Sequence, residues 1–146
     1  MSEIHIYTDG SCDPNPGPGG WAALIIKDEV QKLISGSCAQ ATNNRMELLA
    51  ALEAIRTQRK GSRIVVHTDS QYLNKGITQW MDDWKLRNWK RKGGILANVD
   101  LWKALSKEVE RYEIQWVWVR GHSGDLFNEK VDREARIRAF EAKKKG

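Results

Sequence analysis

Four carboxylates, Asp9, Glu47, Asp69 and Asp132, are the residues of this 146-residue chain whose types and placement could carry chemistry. Each also has an ordinary structural reading. Asp9 precedes Gly10 and could serve a turn, and Glu47 follows Asn44 at the spacing of a helix capping box. Asp69 stands where it could cap a helix, and Asp132 could pair with Arg136 one helical turn on. Brought together, the four would repel one another unless protonated or neutralised by cations. An oxygen-only set of this kind suits a hard divalent ion, Mg2+ or Mn2+, rather than zinc.

Whether they can meet depends on the elements that carry them. Ile4, Ile6 and Thr8 alternate with His5, Tyr7 and Asp9, the period of two of a strand. Residues 13–20 hold every proline of the chain among several glycines, which predicts a loop of fixed shape. Apolar stretches at 21–26 and 32–38, separated by Lys27-Asp28-Glu29, predict an antiparallel meander. From Asn44 to about Gln58, Leu48, Leu52 and Ile55 recur at helical spacing among alanines, and Ile64 to Thr68 is a short β-branched run suited to a buried parallel strand. One or two helices over 70–88, an exposed loop over 90–98, a helix over 99–110, a strand over 114–119 and a helix over 126–143 complete the order β-β-β-α-β-α-α-β-α. That order indicates a single α/β domain, residues 1–146, built on a mixed sheet flanked by helices. In such a sheet the four acids can converge beside its middle, where ligands gather at the carboxyl ends of strands.

Composition narrows the class. With 40% hydrophobic and 29% charged residues the chain reads as soluble and globular, and no apolar run approaches the ~20 residues of a membrane span. The N-terminus lacks the pattern of a signal peptide, so a cytoplasmic address is expected. Cys12 and Cys38 lack metal-ligand spacing and read as unlinked thiols. An excess of 24 Lys and Arg over 19 Asp and Glu favours polyanionic partners. It is concentrated in Lys85 to Lys92, where five bases occur without an acid, and Trp80, Trp84 and Trp89 interleave with the bases of this region in a manner suited to nucleic acid. Trp80 and Trp84 fit the apolar stripe of a helix equally well. Trp102, Trp116 and Trp118 read as core, and His5 and His67, at strand positions, as structural.

Five motifs follow in order: Tyr7-Thr8-Asp9-Gly10-Ser11-Cys12, Asn15-Pro16-Gly17-Pro18-Gly19-Gly20, Thr42-Asn43-Asn44-Arg45-Met46-Glu47, Thr68-Asp69-Ser70-Gln71-Tyr72, and Val119-Arg120-Gly121-His122-Ser123-Gly124 with Asn128-Glu129 and Asp132 after it. Over essentially the whole chain they resemble type 1 ribonuclease H. The resemblance implies that family's five-stranded mixed sheet and hydrolysis of the RNA strand of an RNA/DNA hybrid, leaving 5′-phosphate and 3′-hydroxyl ends. It further implies two metal ions bridged by Asp9, with Asp132 helping to hold the one that activates water, and Glu47 and Asp69 the one facing the leaving oxygen. Two cations roughly 4 Å apart stabilise both the entering and the departing oxygen of an in-line displacement. His122 is implied as an auxiliary in proton transfer or product departure.

A nuclease indifferent to base sequence must read backbone shape and the 2′-hydroxyl. The resemblance assigns Asn15, Asn43, Gln71 and the main chain of Cys12 to backbone contacts and Thr42 to a DNA phosphate. The stretch holding Trp80, Trp84, Lys85, Arg87, Trp89 and Lys90 resembles the basic protrusion of bacterial members, with Asp82, Asp83 and Leu86 diluting its charge. No Gly-Lys-Ser/Thr follows the Gly/Pro segment, so it is no P-loop; its glycines are expected to let the backbone approach RNA. A monomer is expected. The alternatives are a DNA-acting nuclease of the same fold, opposed by Asn43, Asn44 and Gln71; a silent hybrid-binding module, opposed by the full set of acids; and a general basic binder.

Overall fold

The computed structural model describes residues 3–91, 93–120 and 125–145. β1 (Ile4–Cys12), β2 (Gly17–Lys27) and β3 (Val30–Ala41) form the antiparallel meander. The β2–β3 hairpin turns on Asp28 and Glu29, both left-handed at φ 50° and 69°, the conformation a two-residue type I′ turn requires. α1 (Asn43–Arg56) then crosses over to β4 (Arg63–Thr68), parallel to β1, and β5 (Glu113–Trp118) lies parallel to β4. The sheet order is β3-β2-β1-β4-β5. Between β4 and β5 run α2 (Gln71–Lys75), one wider π-type turn (Gly76–Trp80), α3 (Met81–Leu86) and α4 (Val99–Val109); α5 (Leu126–Lys145) follows β5.

Alternation along the strands separates two buried faces. Ile4, Ile6, Ala23, Ile25, Ile64 and Val66 pack with Leu48, Leu52 and Ile55 of α1 and Trp102 of α4. Ala22 and Leu24 point the other way, onto Val131 and Ala135 of α5, with Tyr7 and Phe127 at the margin. Trp102 is fully buried and its indole N–H donates to the Tyr72 hydroxyl at 3.1 Å. Truncating an aromatic of that size in a core costs about 3–5 kcal/mol.

Several expectations are corrected. Residues 17–20 belong to β2 rather than to the preceding loop, because Gly19 and Gly20 pair with both β1 and β3 and Gly17 pairs with Ala41 of β3. Trp118 is not core: at the end of β5 it is 40% exposed. The exposed loop over 90–98 carries one buried anchor, Leu96. No helix among the described residues is long and apolar enough to cross a membrane.

α5 covers β1, β2 and β3. On the α5 side of β1 and β4, His5 Nδ1 lies 2.9 Å from His67 Nε2, and the Tyr7 ring stacks on His67 at 4.2 Å and 7°. Burial, and then the neighbouring His5, hold His67 below the usual imidazole range.

Candidate active site

Asp9 lies within β1 and is 3% exposed, so it serves no turn. The next residue explains how a helix comes so near it. A Cβ on Gly10 would fall 2.6 Å from the Glu47 nitrogen and the Met46 carbonyl carbon, both backbone atoms that cannot swing aside. Glycine therefore lets α1 dock on β1 with Glu47 beside Asp9. The capping-box reading of Glu47 fails, because the helix is capped earlier: the Thr42 hydroxyl accepts from the Arg45 N–H at 3.1 Å. Asp69 does not cap α2 either, since Ser70 does so through the Leu73 N–H at 3.0 Å. Parallel pairing of Thr8 with Thr68 sets Asp69 level with Asp9.

The result is a cluster in which Asp9, Glu47 and Asp69 bring carboxylate oxygens within 4.8 Å of one another. Asp132, from α5, stands outside this group of three but near enough to Asp9 to act on its carboxyl. α5 owes its approach to a second glycine, because a Cβ on Gly20 would lie 2.3 Å from the Ala135 oxygen and 2.4 Å from the Ala139 nitrogen. Asp132 also makes the expected ion pair with Arg136, at 2.9 Å. The ordinary reading therefore holds for this residue.

Electrostatics mark the cluster as incomplete by itself. Burial pushes the Asp9 carboxyl from 3.8 up to about 7; Asp69 and Asp132 push the same way, while bonds from Glu47 and the Gly10 N–H oppose them. Burial raises Glu47 well above the carboxylate range, with the Asp9 charge next in importance. Glu47 Oε2 is buried without a hydrogen-bond partner. A clustered set of oxygen donors, two of them resisting ionisation and one orphaned, fits a hard divalent cation.

This has a measurable consequence. Raised carboxyl pKa values mean the native state holds protons the unfolded chain releases, so their contribution to stability is complete below about pH 4. It is lost as pH rises to about 7. For Asp9 alone the loss is on the order of 4 kcal/mol. Chelator-treated protein is expected to show a smaller melting temperature at pH 8 than at pH 5, with Mg2+ restoring stability at pH 8 and Asp9→Asn flattening the profile. A profile unchanged by Asp9→Asn would overturn the account.

The other sequence-predicted residues divide. Asn15 Oδ1 accepts from the Asn43 N–H at 3.1 Å, which joins Asn15, Asn43 and the capping Thr42 into one corner at the start of α1. The Cys12 thiol is buried beneath it against the carbonyl oxygens of Pro14, Gly17 and Ala41. Gln71 is exposed at the first position of α2. A Cβ on Gly19 would meet Ala41 and Met46, and one on Gly20 would meet α5, so the missing side chains at both positions serve packing within the chain.

Trp80 and Trp84 pack at 5.9 Å with their rings tilted by 49°, and Trp84 packs onto Trp102 at 5.1 Å, so the helix-stripe reading holds for Trp84 while Trp80 keeps 37% of its surface. Trp89 is half-buried against the same core. Lys85 pairs with Glu110 at 3.8 Å and Arg87 with Asp83 at 2.9 Å, leaving Lys90 as the assigned base without an ion pair among the described residues. His122 lies outside the described residues.

Two features escaped sequence reasoning. The Trp118 indole N–H donates to the Asp69 carbonyl at 3.2 Å, pinning the backbone that carries a site carboxylate. Arg45 forms a two-pronged pair with Asp100, at 3.0 and 2.6 Å, and also donates to Asn98, whose amide donates to Tyr72. This tie joins the starts of α1 and α4 across 55 residues, a separation with no local signal.

A family model for RNase H matches residues 1–140. The Ribonuclease H of Hahella chejuensis is 49% identical over 143 residues, covering 97% of each chain. That of Xanthomonas oryzae pv. oryzae is 51% identical over 140 residues, covering 95% of this chain and 93% of the other. Among solved structures, LC9-RNase H1, described as a type 1 RNase H with the type 2 active-site motif, superposes with a TM-score of 0.88 at 33% identity, over 97% of this chain and 74% of its own. LC11-RNase H1 in complex with RNA/DNA hybrid shares the fold, with a TM-score of 0.72 at 17% identity over 95% of this chain and 98% of its own.

Proposed function

Because the chain belongs to the RNase H family, we propose that Asp9, Glu47, Asp69 and Asp132 are the centre at which it cuts the RNA strand of RNA/DNA hybrids, leaving 5′-phosphate and 3′-hydroxyl ends. The observation that carries this reading is the gathering of carboxylate oxygens from β1, α1 and the end of β4 within 4.8 Å, with Asp132 of α5 acting on Asp9 from beside them.

The four residues would hold two divalent ions, with Asp9 bridging them, Asp132 on the water side, and Glu47 and Asp69 on the leaving-group side. Mg2+ is the proposed ion, with Mn2+ able to replace it. When bound, such ions lower the pKa of water and stabilise the negative oxygens of the displacement. The chain's own part is positioning. Gly10 and Gly20 hold α1 and α5 at the distance the carboxylates need, and Ser70 and Trp118 fix the backbone on either side of Asp69. The corner of Asn15, Thr42 and Asn43, the main chain of Cys12, and Gln71 would bind the hybrid's sugar-phosphate backbones. Trp80, with Lys90 and the partly neutralised Lys85 and Arg87, would bind alongside; Trp84 and Trp89 act mainly by shaping that surface. One sheet carrying two packed faces supports a single domain over 1–146, and we read it as a cytoplasmic monomer.

The test is cleavage of labelled hybrid, duplex DNA and single-stranded RNA side by side with Mg2+. Cutting confined to the RNA of the hybrid is the expected result; equal cutting of duplex DNA would favour the DNA-acting alternative. His122→Ala is expected to slow turnover without abolishing it, by about a hundredfold, the low end of what a proton-transfer group contributes. Complete loss would give His122 a larger role.

A further inference from the structure

The histidine pair on the α5 side of β1 and β4 is used by nothing in the reaction. His5 and His67 sit on neighbouring parallel strands, displaced by two positions, because Tyr7 is the residue level with His67 and Val65 the residue level with His5. The displacement lets the rings reach each other: Nδ1 of His5 and Nε2 of His67 are 2.9 Å apart, with ring centroids 5.2 Å apart and planes at 27°. Tyr7 fills the space level with His67 and stacks on its face at 4.2 Å, so the His67 ring is held by both an imidazole and a phenol. Phe127 of α5 packs on Tyr7 at 5.1 Å and closes that side. Both histidines are half-buried, open enough to be reached and constrained enough to stay together.

We propose that His5 Nδ1 and His67 Nε2 form a second metal site, selective for a borderline divalent transition ion such as Cu2+, Ni2+ or Zn2+ and separate from the carboxylate cluster. Imidazole nitrogen favours these ions, whereas Mg2+ seeks oxygen. Nitrogens bound to one ion at about 2.0–2.1 Å each, at a tetrahedral angle, stand about 3.3 Å apart, so a few tenths of an ångström of opening and a tilt of the rings admit the ion. In the metal-free pair one imidazole donates its N–H to the other. Binding moves that proton to the donor ring's other nitrogen, both facing nitrogens then present lone pairs, and water completes the coordination. Asp125, whose charge acts on both His67 and Tyr7, supplies a nearby negative charge to offset the cation. The β1–β4 pairing fixes the two ligands relative to each other before any ion arrives, which removes much of the ordering cost of a two-ligand site.

Cu2+ titrated into the full chain, with Mg2+ in excess to keep the carboxylates occupied, is expected to give one saturable site. Its electron paramagnetic resonance spectrum should carry hyperfine splitting from two nitrogens. His5→Gln and His67→Gln should each weaken binding by more than about tenfold and remove the two-nitrogen pattern, while Asp9→Asn and His122→Gln leave it intact. Should a glutamine variant fail to fold, Zn2+-induced nitrogen-15 shifts of the two imidazoles in the unaltered protein give the same answer. An all-oxygen spectrum, a two-nitrogen pattern that survives loss of His5 or His67, or Zn2+ shifts confined to His122 would overturn the proposal.

Discussion

Asp9→Asn is expected to reduce hybrid cleavage by at least about a thousandfold, ~4 kcal/mol of transition-state stabilisation, while hybrid binding persists. The replacement keeps the size of the side chain and an oxygen in the same place, so the dense packing of β1 against α1 is undisturbed. What it removes is a negative charge from the cluster with Glu47 and Asp69, beside Asp132. The metal-free protein should not suffer; with Asp9 already 3% exposed and pushed up to about 7, an amide relieves repulsion, and the variant should melt at or above the parent at pH 8. Lost turnover with raised stability separates a chemical role from a structural one. Single-turnover cleavage, hybrid affinity and a thermal melt on the same preparation make the comparison, and near-parental turnover would remove Asp9 from the centre.

Gly20→Val tests the same site from the opposite direction, through packing. No side chain touches substrate at this position; β2 simply lies against the backbone of α5 there. Even a single Cβ would sit 2.3 Å from the Ala135 oxygen and 2.4 Å from the Ala139 nitrogen, and the two methyl groups of valine add to the overlap. The helix must move outward. Overpacking of this kind costs about 1–3 kcal/mol, and more where backbone has to yield. Asp132 lies one turn before Ala135 on that helix, so any outward shift also draws its carboxylate from Asp9. The expected outcome is a lower melting temperature together with a fall in kcat measured well below that temperature, and a weaker requirement-saturating response to Mg2+. A variant that loses stability but keeps full kcat would show that α5 can pivot without moving Asp132.

Much of the architecture was readable from local patterns. Strand alternation around Ile4 to Asp9, the helical spacing of Leu48, Leu52 and Ile55, and the β-branched run before Asp69 each match an element of the structure within a few residues. The family motifs supplied the identity of the four acids. The reading failed where residues distant in sequence decide the outcome. Gly17 to Gly20 read as loop because breakers were weighed without the pairing of Gly17 to β3 and of Gly19 and Gly20 to both β1 and β3. Trp118 looked like core because alternation gives a side chain's face but not whether anything covers that face. The dilution of the Lys85 to Lys92 charge by Asp83 was legible as an i,i+4 pair with Arg87, but the pairing of Lys85 with Glu110 arises only through the fold.

The four carboxylates show the division most clearly. Their number, type and order are properties of the sequence, and so is the oxygen-only chemistry they permit. Their meeting is a property of the tertiary structure alone. It depends on a parallel register that sets Thr8 beside Thr68, and on two glycines whose missing side chains let helices approach strands to van der Waals contact of backbone. Local preferences act over a few residues, whereas the rise of Asp9 to about 7 exists only once burial and the neighbouring Asp69 and Asp132 act on it.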